Sequence, residues 1–113
     1  MRRILDSGFQ PTALVCVNDF MAAGALRELR ERGLRVPGDV SVTGFDNILL
    51  SEYCDPPLTT VHVPRDVVGK LAFEILAPNQ ASAGKAGREV VLDPEMVLRD
   101  STGPAPSGPG RQA

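Results

Sequence analysis

The sequence predicts an α/β fold, a parallel sheet flanked by helices, and three observations carry that prediction. The run "ALVCV" at residues 13–17 is apolar, rich in β-branched residues, and stops abruptly at Asn18-Asp19. Residues 19–32 then place Ala22, Ala23, Leu26 and Leu29 at helical spacing, with Arg27, Glu28, Arg30 and Glu31 mostly on the opposite face. "VSVT" at residues 40–43 follows as a second short strand. A strand-helix-strand unit of about 30 residues favours parallel neighbouring strands joined by a right-handed crossover.

The elements follow in chain order. Residues 2–8 read as the end of a helix closed by Gly8, and Gln10-Pro11-Thr12 as a turn into the first strand. The helix from Asp19 ends at Gly33, suited to the left-handed C-terminal position, and Val36-Pro37-Gly38-Asp39 turns the chain into the second strand, which ends at Gly44. Pro56-Pro57 stiffens the next connection, and the β-branched residues 59–63 read as extended chain or a strand. Residues 65–76 restore a helical pattern through Val67, Val68, Leu71, Ala72, Ile75 and Leu76, with Pro64 in its first turn. "APNQASAGKAGRE" reads as a mobile loop, and "VVLDPEMVLRD" as a strand pair or one strand kinked at Asp93-Pro94. Residues 1–102 form the structured portion, and 103–113, rich in Gly and Pro, a disordered tail.

Composition narrows the function. With 113 residues and 42% hydrophobic content the chain amounts to one domain or part of one, and a net charge of -2 offers no basic field for nucleic acid. The two cysteines show no CxxC or metal-ligand spacing, which points to a reducing compartment. No run approaches the ~20 apolar residues of a membrane span, and Asp6, Ser7 and Gly8 interrupt any signal-peptide core. The reading is a cytoplasmic chain without membrane contact.

Ligands of open parallel sheets meet the carboxyl ends of strands. Here those ends are Asn18-Asp19 and Gly44-Phe45-Asp46-Asn47, and parallel neighbouring strands put both polar pairs on one edge. Capping competes with binding at the first pair, and an Asx turn at the second. A carboxylate opposite an amide suits a polyhydroxylated ligand such as a sugar. Phe45 fits a core position better than a ligand-stacking one. His62, the only histidine, sits in a β-branched run and reads as structural; Cys16, between two valines, reads as a buried inert thiol. No nucleophile elbow, metal-ligand set or phosphate-cradling glycine motif occurs, so no catalytic, metal or cofactor residue is assigned and the chain is not expected to be an enzyme.

The ordered motifs "PTALVCVND", "MAAGAL", "GLRVPGDVSV", "GFD", "PPLTTV" and the closing "VVLDPEMVLRDST" resemble the C-terminal part of the effector-binding domain of lactose-repressor and galactose-repressor transcriptional regulators. The resemblance covers residues 1–102 and implies a partial periplasmic-binding-protein-like (type I) fold, an incomplete two-lobe domain holding a small-molecule effector, most simply a sugar. It implies effector contact by Asp46 and Asn18, with Asp19 as the helix cap. It further implies a homodimer through the helix from Asp19 and the loop Leu49 to Asp55. Operator DNA would be bound only by an N-terminal helix-turn-helix that these residues do not include. It also implies that the connection at residues 57–63 crosses between lobes and that the helix at 65–76 belongs to the other lobe. The alternative within the same fold is a fragment of a periplasmic sugar-binding receptor of a transporter.

Overall fold

A computed structural model describes residues 1–77 and 89–106. Helix α1 (Arg2–Asp6) leads through Gly8, whose φ of 79° is the left-handed conformation expected of it, to strand β1 (Ala13–Val15). Helix α2 (Asp19–Glu31) follows, closed by Gly33 at φ 71°, and strand β2 (Ser41–Thr43) returns beside β1. The two strands are parallel, with Ala13 opposite Ser41 and Val15 opposite Thr43. Both are shorter than the apolar runs suggested, although Cys16 N–H still donates to Thr43 O at 2.9 Å.

The core is the packing of α2 on this pair. Ala22, Leu26 and Leu29 from the helix meet Val40, Val42 and Leu58, and all six are buried. The helical spacing read from the sequence marks the packed face at Ala22, Leu26 and Leu29, whereas Ala23 is only half-buried and Ala25 is buried in its stead. Sidedness is strong: Val15 is 87% and Val17 76% exposed, while Val42 is fully buried.

Beyond β2 the chain makes a short 3-10 turn (Leu49–Glu52), then strand β3 (Thr60–His62), helix α3 (Arg65–Leu76) and strand β4 (Glu95–Val97). β3 and β4 pair antiparallel, and β3 also lies parallel to the chain leaving β2, through bridges at Thr43–Thr59 and Asp46–His62. Pro64 precedes α3 as its N-cap instead of occupying the first turn. Residues 89–94 form no strand, so the closing segment contributes one strand, beginning immediately after Pro94, which has no N–H for a ladder. α3 buries none of its residues, and Phe73 and Leu76 are 73% and 81% exposed. A radius of gyration of 19.4 Å exceeds the ~13 Å of a closed domain of this length.

The start of the tail is attached, since Ser41 Oγ donates to Gly103 O at 3.3 Å and accepts from Gly103 N–H at 3.2 Å. Residues 107–113 of the expected tail and residues 78–88 of the expected mobile loop lie outside the described residues.

Candidate functional site

The parallel register brings Asn18-Asp19 and the segment 44–47 to the same edge, as Asp19 N–H donating to Phe45 O at 2.9 Å shows directly. Within the first pair the roles differ from the expected ones. Asn18 is the helix cap: its backbone is extended and its Oδ1 accepts from Met21 N–H at 2.9 Å. Asp19 is the first helical residue and is fully buried. Its Oδ1 accepts from Thr60 Oγ1 at 2.5 Å and its Oδ2 from Ile48 N–H at 2.8 Å, so one carboxylate ties together α2, the loop after β2 and β3. The residues alone allow either member of the pair to cap, and the assignment of the cap to Asp19 that the resemblance implied is corrected here: Asn18 caps and Asp19 opens the helix.

Gly44 makes that arrangement possible. A Cβ there would fall onto Asp19 Oδ1 and within 2.8 Å of Leu58 Cδ2. The glycine is required by close approach, not by its backbone angles.

The Asp46-Asn47 turn takes up left-handed backbone at two non-glycine residues, with φ of 107° and 51°. Such conformations persist only where surrounding bonds over-determine them. At Asp46 the backbone N–H donates to Val61 O at 2.9 Å, and its carbonyl accepts from Arg65 Nη1 at 2.6 Å. At Asn47 the Oδ1 accepts from Arg99 Nη2 at 2.8 Å and lies 3.3 Å from Ser51 Oγ, while Nδ2 is 3.2 Å from His62 Nδ1. Every one of these bonds uses the Asp46 backbone or Asn47. Among the described residues none is made to the carboxylate of Asp46, which is half-exposed at the edge.

Phe45 is 40% exposed and does not join the core cluster, correcting its expected burial; it lines instead an open concavity of about 530 Å³ with Val63, Pro64, Leu71 and Leu92. A second concavity of about 720 Å³ sits at the opposite end of the strands, against Phe9, Gln10 and Leu34. Neither is lined by Asn18 or Asp46, which are both half-exposed. Cys16 is half-buried instead of enclosed, and desolvation pushes its thiol above the ordinary range, in keeping with an inert role. His62 is engaged with Asn47, the structural role expected of it.

Arg99 escaped the sequence reading although the closing R-x-S-T motif was visible. Its guanidinium donates through Nη1 to Ser51 Oγ at 3.0 Å and Leu58 O at 2.9 Å, and through Nη2 to Asn47 and Glu52. Two residues later, Ser101 is fully buried, donating to Val42 O at 2.6 Å and accepting from Thr59 N–H at 2.8 Å. The only available signal was an arginine two residues past the β-forming run that closes the motif.

Comparison with known proteins identifies the family. Residues 1–102 match the family described as periplasmic binding protein-like domain. The HTH-type transcriptional repressor PurR of Vibrio atlanticus is 46% identical over 99 residues, covering 88% of this chain and 30% of that protein. The lac repressor dimer bound to operator and the anti-inducer ONPF superposes with a TM-score of 0.79 at 38% identity, over 88% of this chain and 35% of the repressor. The complex of the transcriptional regulator CelR with cellobiose gives 0.82 at 32% identity, over 88% and 31%. The chain thus spans about 30% of the length of the curated relatives it matches.

Proposed function

Because the chain belongs to the periplasmic binding protein-like domain family and corresponds to part of the effector-binding domain of LacI-type regulators, we propose that its polar edge is one wall of a small-molecule effector site. Asp46 is the principal contact and Asn18 a secondary one, through the amide nitrogen that capping leaves over. The observation that carries this reading is the Asp46 carboxylate: it stands half-exposed and unengaged at the strand ends, on a backbone at φ 107° held by bonds that do not use it. A carboxylate accepts from two hydroxyls at once, which suits a sugar or related metabolite. Cellobiose in the CelR structure is in keeping with that class.

Sequence relatives named as transcriptional repressors favour a regulator over a transporter receptor and over an enzyme. On this reading the protein acts in the cytoplasm; among the described residues no helix is long and apolar enough to cross a membrane. Dimerisation through α2 and residues 49–55 is supported by exposed apolar side chains there, with Phe20 68%, Leu49 71% and Tyr53 76% exposed. Operator contact falls to a segment outside residues 1–113, whose net charge of -2 suits no phosphate backbone.

The test is calorimetric titration of mono- and disaccharides, cellobiose among them, into a regulator carrying this segment. Losing a hydrogen bond to a charged group costs ~1.5–3 kcal/mol, so Asp46→Ala lowers affinity by roughly one to two decades. Unchanged affinity removes Asp46 from the site.

A further inference from the structure

The contacts around Asn47 form a chain in which each partner dictates the hydrogen-bonding role of the next. Arginine has donors only. With Arg99 Nη2 at 2.8 Å, the atom of Asn47 facing it must be the carbonyl oxygen, since the reversed amide would set N–H against N–H. The amide nitrogen is then the group 3.2 Å from His62 Nδ1, and it can only donate. A ring nitrogen receiving a donor carries no proton, so the proton of the neutral imidazole resides on Nε2. A residue 37 positions away in sequence thereby selects the tautomer of the single histidine.

We propose that Arg99 is a positioning residue of the Asp46 turn, acting through Asn47 to hold His62 as its Nε2–H tautomer. His62 is the bridge partner of Asp46 on the adjacent strand, so the relay reaches the strand position directly beside the effector-binding carboxylate. Arg99 is itself tied to Leu58 O and Ser51 Oγ, which fixes the guanidinium before it meets Asn47. The functional meaning rests on the effector-site reading above. The relay itself exists without ligand and is tested without one, so failure of the relay and failure of the effector site are separate results.

The experiment is nitrogen-detected imidazole NMR on the full chain, at a pH where the ring is neutral. With one histidine, no assignment is needed. The unaltered chain shows a single Nε2–H tautomer. Arg99→Met and Asn47→Ala both relax the ring to the mixture of tautomers of free histidine, and the double variant adds nothing to either single one. Asn47→Asp keeps an acceptor toward Arg99 but turns a second acceptor toward Nδ1, and it shifts the ring to the Nδ1–H form. Amide protection in β1 and α2 verifies the fold, and the two Asn47 variants carry the test if Arg99→Met does not fold. A tautomer mixture in the unaltered chain, a ring still locked in Asn47→Ala, or an Nε2–H ring in Asn47→Asp would each overturn the proposal.

Discussion

Replacing Asp19 with alanine tests how far one buried carboxylate organises the site. The side chain is fully buried and holds two donors from different segments, Thr60 Oγ1 at 2.5 Å and Ile48 N–H at 2.8 Å. Each hydrogen bond to a charged acceptor contributes ~1.5–3 kcal/mol, and an acid in the first turn of a helix adds ~0.3–1 kcal/mol. The alanine variant also leaves the buried Thr60 hydroxyl and the half-buried Ile48 N–H without that partner. A loss of about 4 kcal/mol follows from two such bonds and the helix-terminus contribution. Asn18→Ala, removing a cap with one bond to Met21 N–H, costs only ~1 kcal/mol. Urea denaturation followed by circular dichroism distinguishes them: with a slope of ~1–2 kcal/mol per molar, Asp19→Ala shifts the midpoint by roughly 2–4 M or abolishes the transition. Asp19→Asn falls between, because its amide keeps one acceptor and sets N–H against the other donor. If Asp19→Ala costs no more than Asn18→Ala, the carboxylate is not the tie described here.

Gly44→Ala pushes a methyl group onto Asp19 Oδ1 and Leu58, so it destabilises by ~1–3 kcal/mol in the same denaturation assay, whereas Gly24→Ala, with open space around it, does not. Asp39 is held at a pKa of about 2, below its ordinary 3.8, by the Arg35 guanidinium first and the Arg35 N–H second. Its contribution to the turn is therefore full above about 3.8 and lost as pH falls through about 2; a carboxyl NMR titration centred at 3.8 would exclude that clamp. Residues 1–113 alone self-associate through the exposed side chains of β1, α2 and α3; a concentration-independent monomer by light scattering would contradict this.

Periodicity made the first half of the fold legible. The spacing of Ala22, Leu26 and Leu29 marks the packed face of α2, and strands separated by a helix of that length admit few arrangements besides parallel neighbours. Convergence of Asn18 and Asp46 on one edge followed from that topology, without any knowledge of side chains. The division of labour inside each pair did not. Asn18 and Asp19 are both good caps, and only the approach of Thr60 and Ile48 from distant segments decides which is buried. Arg99 was illegible for the same reason: its partners Asn47, Ser51 and Leu58 precede it by more than 40 residues, and nothing local marks a guanidinium as interior. Phe45 was misjudged because aromatic character predicts burial only where a second layer covers it, and its neighbours here are the walls of an open concavity.

The contrast between the two long helices shows what this chain encodes by itself. Both α2 and α3 carry an apolar stripe, yet α2 buries Ala22, Ala25, Leu26 and Leu29 while α3 buries nothing. A stripe specifies which face seeks cover, not what provides it. The Asp46-Asn47 turn does not share that dependence, because its bonds to Val61, Arg65, His62 and Arg99 all lie within the chain. The backbone of the Asp46 turn is thus held by bonds within the chain, while Asp46 and Asn18 line neither of the two concavities and would form an open wall of the proposed site. An open wall leaves most of a small molecule's surface in water, whereas a tight site buries ~70–90% of it. A correctly formed Asp46 turn and weak binding by residues 1–113 are therefore consistent outcomes of one structure.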